Sequence, residues 1–431
     1  MLPPSEQGSS SSDRPARTLL PSASREEDRT DDGGDVSGPL TGIRVLDLTR
    51  ALAGPYATLM LADAGADVVK VERPQSGDDA RGWGPPFAHP PGDPDQRESA
   101  YFLSINRNKR SIVLDLKTPE GLARLHDLVG KTDVLVENFR PGVMERLGLA
   151  QEALAEMNPR LVTLSITGFG ESGPDGHRAG FDQIVQGEGG LMSLTGPLGG
   201  PPIKVGVPIA DILAGMFGAF GVAAALAERA RSGKGQQVST SLLASMIGVH
   251  TFQGARWLVA GEVPQPIGNR HPTIAPYGAY PCADGEITIA VGSEGLWRRF
   301  APLVGLDPAD ERFATNGDRV QRIDELEALL VSALASATVE EWIQRLDTVG
   351  VPAGRIRTLD QVYSSAQVEH LGLVDIVEHA TLGKVRLPGS PVTYSRTPRG
   401  EPSPPPVLGE HDADKIWDDE ERPAAGGDLD G

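Results

Sequence analysis

The sequence predicts an α/β protein with a large domain built on a parallel, Rossmann-like sheet and a smaller α+β domain. Short apolar strands alternate with helical stretches between residues 43 and 167, and this pattern changes after about Gly248. Such alternation is typical of a parallel sheet covered by helices on both faces. The length of 431 residues leaves room for both domains.

Five strands of the large domain follow from aliphatic and β-branched runs. They are IRVLDLT at 43–49, DVVKVE at 67–72, SIVLDL at 111–116, DVLVEN at 133–138 and LVTLSIT at 161–167. A helix is expected at 57–64, and another begins after Thr118, where Pro119 suits the first helical position. Because ligands bind at the carboxyl ends of parallel strands, the segments after the first, second and fourth strands should share one functional edge.

Beyond Gly248 the sequence favours a β-hairpin followed by helices. YGAYPC from Tyr277 and EITIAVG from Glu286 flank a short turn, and TVEE at 338–341 is a capping box that begins a helix. Strand-like alternation returns at Thr381. The expected organisation is a disordered tail at 1–38, the first part of the large α/β domain at 39–248, the small α+β domain with linkers at 249–373, a segment returning to the large domain at 374–411 and a flexible tail at 412–431.

Composition limits the partners and the compartment. The formal net charge of −19 argues against nucleic acid or an anionic membrane surface as the main partner. The single cysteine, Cys282, excludes an intrachain disulfide, and the N-terminal segment lacks a secretion signal, so a cytoplasmic location is expected. The uncharged run at 212–227 is too short to span a membrane. The eight histidines lack metal-ligand spacing, so no metal site is predicted.

Asp211 directly precedes that uncharged run, in VGVPIADILAG. One interpretation is a helix N-cap, because an aspartate oxygen accepts an unpaired backbone N–H and its charge suits the positive end of the helix dipole. The alternative is that a carboxylate held at a buried helix start acts as a nucleophile. The residues alone leave both interpretations open. The two roles are compatible, since a helix N-terminus should keep the carboxylate ionised and fixed.

Seven segments occur in a characteristic order along the chain. They are LDLTRALAGPYAT from Leu46, VKVERPQSGDDARGW from Val69, NRNKRSIVLDLKTPEG from Asn106, DVLVENFRPGVMERLG from Asp133, TGFGESGP from Thr167, GFDQIVQGEGGLM from Gly180 and GVPIAD from Gly206. Together they resemble the class III coenzyme A (CoA) transferase family, from about Pro39 to Asp412. The stretches GDDARGWGPPF, ITGFGESGP and HPTIAPYGAY are most similar to the succinate–hydroxymethylglutarate CoA-transferase branch.

This resemblance implies an enzyme whose nucleophile is Asp211 and which forms covalent aspartyl intermediates. Its substrates would be acyl-CoA thioesters and free carboxylic acids, with no permanently bound cofactor. The implied CoA contacts are the phosphate partners Arg73, Lys117 and Arg146 and the wall and backbone residues Arg50, Ala51, Leu52, Leu114, Asn138 and Phe139. The family also implies an interlocked homodimer of ring-shaped chains, with the ring closed by the segment at 374–406.

The branch implies small dicarboxylic acids as the exchanged acids, with succinyl-CoA as a donor. A second carboxylate held away from water needs a cation or several hydrogen-bond donors. The candidates in segments expected near the acyl end are His177, Arg178, Arg270 and His271. The alternative for both arginines is a surface or interdomain ion pair, since arginine is usually exposed.

Racemisation and inactive CoA binding are the two alternatives to CoA transfer. A 2-methylacyl-CoA racemase needs acid and base groups at the α-carbon, and the racemase branch is similar to Gly-His-Asp where this chain has Gly180, Phe181 and Asp182. Phe181 cannot exchange a proton, which argues against racemisation. The presence of Asp211 together with the cations Arg73, Lys117 and Arg146 argues against an inactive CoA-binding protein. Isotope exchange between acyl-CoA and free acid separates these functions.

Overall fold

The computed structural model of the protein describes residues 38–417; the predicted tails at 1–37 and 418–431 lie outside the described residues. The strands are β1 (Arg44–Asp47), β2 (Asp67–Glu72), β3 (Phe87–Ala88), β4 (Glu98–Ser99), β5 (Lys109–Val113), β6 (Val134–Glu137), β7 (Val162–Thr167), β8 (Gln237–Ser241), β9 (Tyr277–Pro281), β10 (Glu286–Ala290), β11 (Ala353–Arg355), β12 (Val374–His379) and β13 (Gly383–Pro388).

The helices alternate with these strands and connect them. They are α1 (Ala53–Asp63), α2 (Ala100–Ile105), α3 (Pro119–Gly130), α4 (Val143–Arg146), α5 (Gln151–Met157), α6 (Asp182–Glu188), α7 (Ile209–Ser232), α8 (Leu242–Gly248), α9 (Thr251–Ala260), α10 (Glu294–Phe300), α11 (Asn316–Gln321), α12 (Ile323–Leu334), α13 (Val339–Thr348), α14 (Leu359–Tyr363) and α15 (Ala366–His370). Helix α3 begins as predicted, with the Thr118 side chain accepting the N–H of Gly121 and proline in the first turn.

A six-stranded parallel sheet forms the centre of the large domain. Its strand order is β5-β2-β1-β6-β7-β8, and every neighbouring pair is parallel. Val45, Leu46 and Val136 are fully buried in it, as expected for strands covered on both faces. The predicted mixed α/β class and parallel sheet are confirmed. The carboxyl ends of β1, β2, β5, β6 and β7 therefore meet at one edge.

The two outer strands of the parallel sheet differ from the prediction. β8 was not predicted, because its sequence QVSTS is polar and a half-exposed strand at the sheet edge needs no continuous apolar run. β5 begins at Lys109, two residues earlier than expected, because the buried Lys109 ammonium lies 3.3 Å from the Asp47 carboxylate. β5 also ends earlier, since the carbonyl of Asp115 accepts the N–H of Thr118 in the turn before α3.

Helix α7 packs along α1, β7 and β8 in the core of the large domain. Glycine permits this close contact: a Cβ atom at Gly215 would lie 2.7 Å from the carbonyl oxygen of Ala53. Within residues 38–417, α7 alone has the length and apolar composition of a membrane-spanning helix. The uncharged run at 212–227 is shorter than a membrane span, but the helix itself extends beyond this run at both ends. Its packing against the sheet makes it a core helix in this fold.

The small domain contains the predicted hairpin and capping box. β9 and β10 pair antiparallel, and β11 joins the other side of β10. The Thr338 side chain accepts the N–H of Glu341, and the Glu341 carboxylate accepts the N–H of Thr338 at 2.9 Å. Trp297 and Trp342 are buried in a separate hydrophobic cluster of this domain.

The chain after residue 373 contacts the large domain. β12 and β13 form an antiparallel hairpin whose Leu387 packs with Leu103 of α2. The indole N–H of Trp417 donates to Asp67 Oδ2 at 2.5 Å, and its side chain is buried. The expectation of a flexible tail is therefore wrong for residues 412–417, because apolar side chains at their end pack on the sheet domain.

Candidate active site

Two adjoining cavities lie at the carboxyl edge of the parallel sheet. The first has a volume of about 700 Å³, and we call it the cationic cavity; its lining includes Arg50, Arg73, Leu114, Lys117, Phe139 and Arg146. The second has a volume of about 240 Å³, and we call it the Asp211 cavity; its lining includes Arg50, Ala51, Leu52, Trp83, Asn138, Phe139, Arg140, Arg178, Phe181 and Asp211. Arg50 and Phe139 line both cavities, so the two spaces meet there. All the CoA contacts suggested by the sequence line one cavity or the other.

The cationic cavity has the chemistry of an anion site. Arg73, Lys117 and Arg146 are exposed, and they come from the segments that follow β2, β5 and β6. Asp79 Oδ1 lies 2.5 Å from the Arg73 guanidinium, and Asp79 Oδ2 lies 3.3 Å from that of Arg50. Guanidinium and ammonium groups suit phosphate oxygens, so this cavity can bind a polyphosphate.

A fixed turn separates the cationic cavity from the Asp211 cavity. The N–H of Arg50 donates to Asn138 Oδ1 at 3.0 Å, and Asn138 Nδ2 donates to the carbonyl of Arg50 at 2.7 Å. The N–H of Ala51 donates to Asp78 Oδ1 at 3.0 Å. The Arg50 guanidinium also lies over the Phe139 ring. These contacts hold the backbone that forms the shared wall of the two cavities.

Asp211 does not cap its helix. Helix α7 begins at Ile209, so Asp211 lies in the first turn and its side chain makes no capping hydrogen bond. The N–H of Ala210 donates instead to Asp182 Oδ1 at 2.8 Å, from the start of α6. The capping interpretation of Asp211 is therefore wrong. Because a neighbouring carboxylate satisfies the helix start, the Asp211 carboxylate remains available to the cavity.

The surroundings of Asp211 oppose its ionisation. Burial, together with the nearby negative charge of Asp182, raises the pKa of Asp211 to about 7. These two effects oppose the helix N-terminus, which was expected to keep Asp211 ionised, so the carboxyl group is only about half ionised near pH 7. Burial likewise raises the pKa of Tyr101 to about 12, with Asp211 and Asp182 contributing. The Tyr101 hydroxyl therefore stays protonated beside both carboxylates.

The acyl-end candidates fall in two places. Arg178 lines the Asp211 cavity, as expected, but its guanidinium binds the Glu188 carboxylate and lies 3.4 Å from Asp175. It also lies over the Phe169 ring, 4.4 Å from its centroid. His177 is exposed on the same loop. Arg178 is thus an ion-paired cation at the border of the cavity.

Arg270 and His271 lie in the small-domain segment, apart from the Asp211 cavity of their own chain. Arg270 Nη2 lies 2.6 Å from both Asp324 Oδ1 and Glu327 Oε2 on α12. The His271 ring stacks on Tyr277 at 5.0 Å between centroids. Within one chain, the contacts of Arg270 therefore agree with the alternative interpretation, in which this arginine forms an ion pair and does not bind substrate.

The sequence did not indicate three residues that the structure places at or beside the Asp211 cavity. They are Asp182, which raises the pKa of Asp211, and Arg140 and Trp83, which line the Asp211 cavity. Arg140 follows Phe139 directly in ENFRPG, so its position in that segment was the available signal. Asp182 had no local signal, because its role depends on how α6 packs beside α7.

The residues described between 38 and 417 contain no group of three or more His, Cys, Asp or Glu side chains arranged to hold a metal ion. The site instead joins exposed cations to a half-buried carboxylate across a fixed turn. This arrangement suits a long ligand that is anionic at one end and reacts with a carboxylate at the other. The fold and site thus define an α/β protein in which a half-buried aspartate lies next to an exposed cationic cavity at the carboxyl edge of the sheet.

Comparison with known proteins identifies the family. Residues 40–412 match the model of CoA-transferase family III. Succinyl-CoA:glutarate CoA-transferase of Mus musculus is 40% identical over 92% of this chain and 90% of its own length. Succinate--glutarate CoA-transferase of Agrobacterium fabrum is 43% identical over 87% of this chain and 94% of its own. A CAIB/BAIF family protein structure from Brucella suis has a TM-score of 0.78 at 40% identity, covering 88% and 98% of the two chains. The protein belongs to CoA-transferase family III and is an enzyme of this class.

Proposed function

We propose that this enzyme transfers CoA from succinyl-CoA to a small dicarboxylic acid such as glutarate, through covalent intermediates on Asp211. The observation that carries the proposal is the position of Asp211 in a small cavity that meets the larger cationic cavity at Arg50 and Phe139. This arrangement supports an extended CoA molecule whose phosphates lie in the cationic cavity and whose thioester reaches Asp211.

In the proposed reaction, the Asp211 carboxylate attacks the thioester carbonyl and releases CoA thiolate, which leaves a mixed anhydride. The thiolate then attacks the Asp211 carbonyl of the anhydride, giving an aspartyl-CoA thioester and free succinate. The acceptor carboxylate attacks this thioester and forms a second anhydride with release of the thiolate. Attack of the thiolate on the acceptor acyl carbonyl completes the new acyl-CoA and frees Asp211. The thioester energy is conserved because each step exchanges one activated carbonyl for another.

The raised pKa of Asp211 fits this role as a nucleophile. A carboxylate with a pKa near 7 is more basic than an ordinary aspartate, while enough of it is ionised at neutral pH to react. A partly desolvated carboxylate also needs less removal of water before it attacks a carbonyl.

The dicarboxylate specificity is supported by the relatives and by two cations of the Asp211 cavity. The proteins from Mus musculus and Agrobacterium fabrum are both named for succinate or succinyl-CoA and glutarate. Arg140 and Arg178 line the cavity, and either guanidinium can bind the second carboxylate of such an acid. Binding to Arg178 would replace or share its contact with Glu188.

A donor–acceptor panel tests the proposed function. Purified enzyme is incubated with succinyl-, glutaryl-, acetyl- and butyryl-CoA against isotopically labelled succinate, glutarate, acetate and butyrate. We expect label to enter CoA esters of the dicarboxylates fastest. Exchange confined to monocarboxylates, or binding of CoA without any exchange, would contradict it; loss of the α-proton without exchange would indicate racemisation.

Arg178→Met sharpens the substrate assignment. We expect its loss of kcat/KM to be about 10- to 100-fold greater for succinate than for butyrate, the scale of a hydrogen bond to a charged group. Arg140→Met serves as the matched variant at the second arginine that lines the cavity. Equal losses for dicarboxylate and monocarboxylate in both variants would assign the two arginines a structural role.

We further propose that the enzyme is a cytoplasmic, interlocked homodimer without a permanent cofactor, and that nucleic acid and membranes are not partners. Exposed apolar side chains on α7 and in the segment around α9 support association of two chains; they are Phe220, Trp257, Leu258, Val259 and Val263, of which Val259 is 86% exposed. In such a dimer the small domain of one chain would lie near the large domain of the other. Light scattering should give a dimeric mass at micromolar concentration, and a monomeric mass would refute this proposal.

A further inference from the structure

A buried ion pair lines the cationic cavity next to the turn that separates this cavity from the Asp211 cavity. Lys70 Nζ and Asp78 Oδ2 are 2.8 Å apart, and both side chains are completely buried. Lys70 Nζ also donates to the carbonyl of Thr49 at 2.8 Å, and Asp78 Oδ1 accepts the N–H of Ala51. The pair therefore binds the backbone on both sides of Arg50, while Asn138 binds the backbone of Arg50 itself.

The backbone at this turn requires such support. Ala51 has a φ of 70°, in the left-handed region that residues with a Cβ atom rarely adopt. A strained conformation of this kind persists only where surrounding contacts determine it, and such strain is concentrated at functional sites. Ala51 lies in the wall of the Asp211 cavity, so its carbonyl and Cβ positions define the shape of the passage.

Stability alone is a poor explanation for the ion pair. Removing two charges from water commonly offsets most of their mutual attraction, and apolar replacements of buried pairs are often as stable. Burial by itself would lower the pKa of Lys70, but the carboxylates of Asp78, Asp47 and Glu72 outweigh it and raise the pKa. Lys70 therefore stays charged, and its ammonium has donors for both Thr49 and Asp78.

We propose that Lys70 and Asp78 are positioning residues for CoA: their ion pair sets the backbone of residues 49–51, which aligns the pantetheine arm between the two cavities. This inference rests on the proposed function, because it assigns the arm to the passage at Arg50. Two parts of the CoA molecule are then held by different residues. The nucleotide part depends on the exposed cations of the cationic cavity, whereas the pantetheine part depends on the buried pair.

Calorimetric binding of two ligands tests this separation. Intact CoA spans the passage, whereas adenosine 3′,5′-bisphosphate contains only the nucleotide end. For Lys70→Met and Asp78→Ala, we expect affinity for CoA to fall by about tenfold or more and affinity for the bisphosphate to stay within about twofold of the parent. Asp78→Asn keeps an oxygen that can accept the N–H of Ala51, so it should retain more CoA affinity than Asp78→Ala. In the exchange assay, KM for the acyl-CoA should rise more than kcat falls.

The double variant Lys70→Met/Asp78→Asn removes both buried charges and keeps the test valid if a single variant fails to fold. We expect it to be folded, with CoA affinity still at least about threefold below the parent because Thr49 has lost its donor. Parent-like CoA affinity in this variant would overturn the inference, as would equal losses for CoA and the bisphosphate.

A matched control comes from the buried pair Arg229–Asp133, which is 3.1 Å apart and lies at the opposite, amino-terminal edge of β6. Arg229→Met/Asp133→Asn should change the unfolding midpoint without changing affinity for either ligand. A parent enzyme that binds no CoA would instead refute the proposed function, so the two failures are distinguishable.

Discussion

The cationic cavity and the Asp211 cavity share the wall formed by Arg50 and Phe139, yet their charged groups differ in exposure to water. Cations of the first are exposed, and water screens them. The carboxylate of the second is largely removed from water and lies beside another carboxylate, so its pKa rises to about 7. One edge of the parallel sheet thus has a wetter cavity, which we propose binds the CoA phosphates, and a drier cavity, which we propose holds the reacting carboxylate. Binding and chemistry should therefore respond to different substitutions.

The largest expected effect is the loss of chemistry without loss of binding. Asp211→Asn and Asp211→Ala should lower exchange activity by about 10³-fold or more, which corresponds to about 4 kcal/mol, because both remove the nucleophile. Their affinity for CoA should stay near that of the parent, because the cationic cavity is unchanged. Hydroxylamine should trap an adduct at Asp211 in the parent only. A variant that retains a substantial share of the parent rate would contradict the role of Asp211.

Substitutions in the cationic cavity should instead weaken binding of the acyl-CoA and leave the rate of the chemical step nearly unchanged. Lys117→Met and Arg146→Met should each raise KM for the acyl-CoA by about 10- to 100-fold, the equivalent of roughly 1.5–3 kcal/mol for a charged hydrogen bond. We expect kcat to change little and the salt dependence of KM to become weaker. Lys384→Met, at an exposed lysine on β13, is the control and should leave KM unchanged. If kcat falls as much as KM rises, the two cavities are not separate in function.

The same contrast explains which parts of the site the sequence could predict. The expected CoA contacts follow strands or lie in continuous motifs. The strand pattern could therefore place Arg73 after β2 and Asn138 after β6 at the sheet edge, whereas their expected role came from the family resemblance. The parallel sheet was predictable for a similar reason, because its central strands are continuous apolar runs. The polar edge strand β8 lacks that pattern and was missed.

Interactions between distant elements were not predictable in this way. The N–H at the start of α7 is satisfied by Asp182, 28 positions earlier in the chain, so the local capping preference of Asp211 gave the wrong answer. Arg270 was placed near the acyl end by the motif that follows it, whereas its position is determined by Asp324 and Glu327 on α12. Local patterns identify the residue types, but packing decides which groups they meet.

The raised pKa of Asp211 also predicts a difference in stability. Its pKa is higher in the folded protein than the usual 3.8, so ionisation destabilises the fold progressively as the pH rises from about 4 to 7, and the cost is complete above pH 7. Asp211→Asn should therefore be more stable than the parent at pH 8, by about 1–3 kcal/mol, and close to it near pH 4. Urea unfolding at both pH values measures this. Equal midpoints at pH 8 would show that water relieves the burial of Asp211.

The smallest expected effect concerns the contribution of Asp182 to the pKa of Asp211. Reaction requires the ionised carboxylate, so kcat/KM of the parent should fall as the pH drops below about 7. Asp182→Asn removes the neighbouring negative charge and keeps an oxygen that can accept the N–H of Ala210, so the start of α7 should be preserved. Without that charge the pKa of Asp211 should fall, and the acidic limb of the profile should move to lower pH by about half to one unit, or roughly 0.7–1.4 kcal/mol.

Glu188→Gln is the matched control for this shift. Glu188 is the other acidic residue of α6, but its carboxylate binds Arg178, and burial and Asp182 are the causes of the raised pKa of Asp211. The control should leave the midpoint of the pH profile unchanged, although it can alter the preference for dicarboxylates by releasing Arg178. An unchanged midpoint in Asp182→Asn would mean that burial alone sets the pKa of Asp211. The drier cavity would then raise that pKa through exclusion of water, without the help of a second charge.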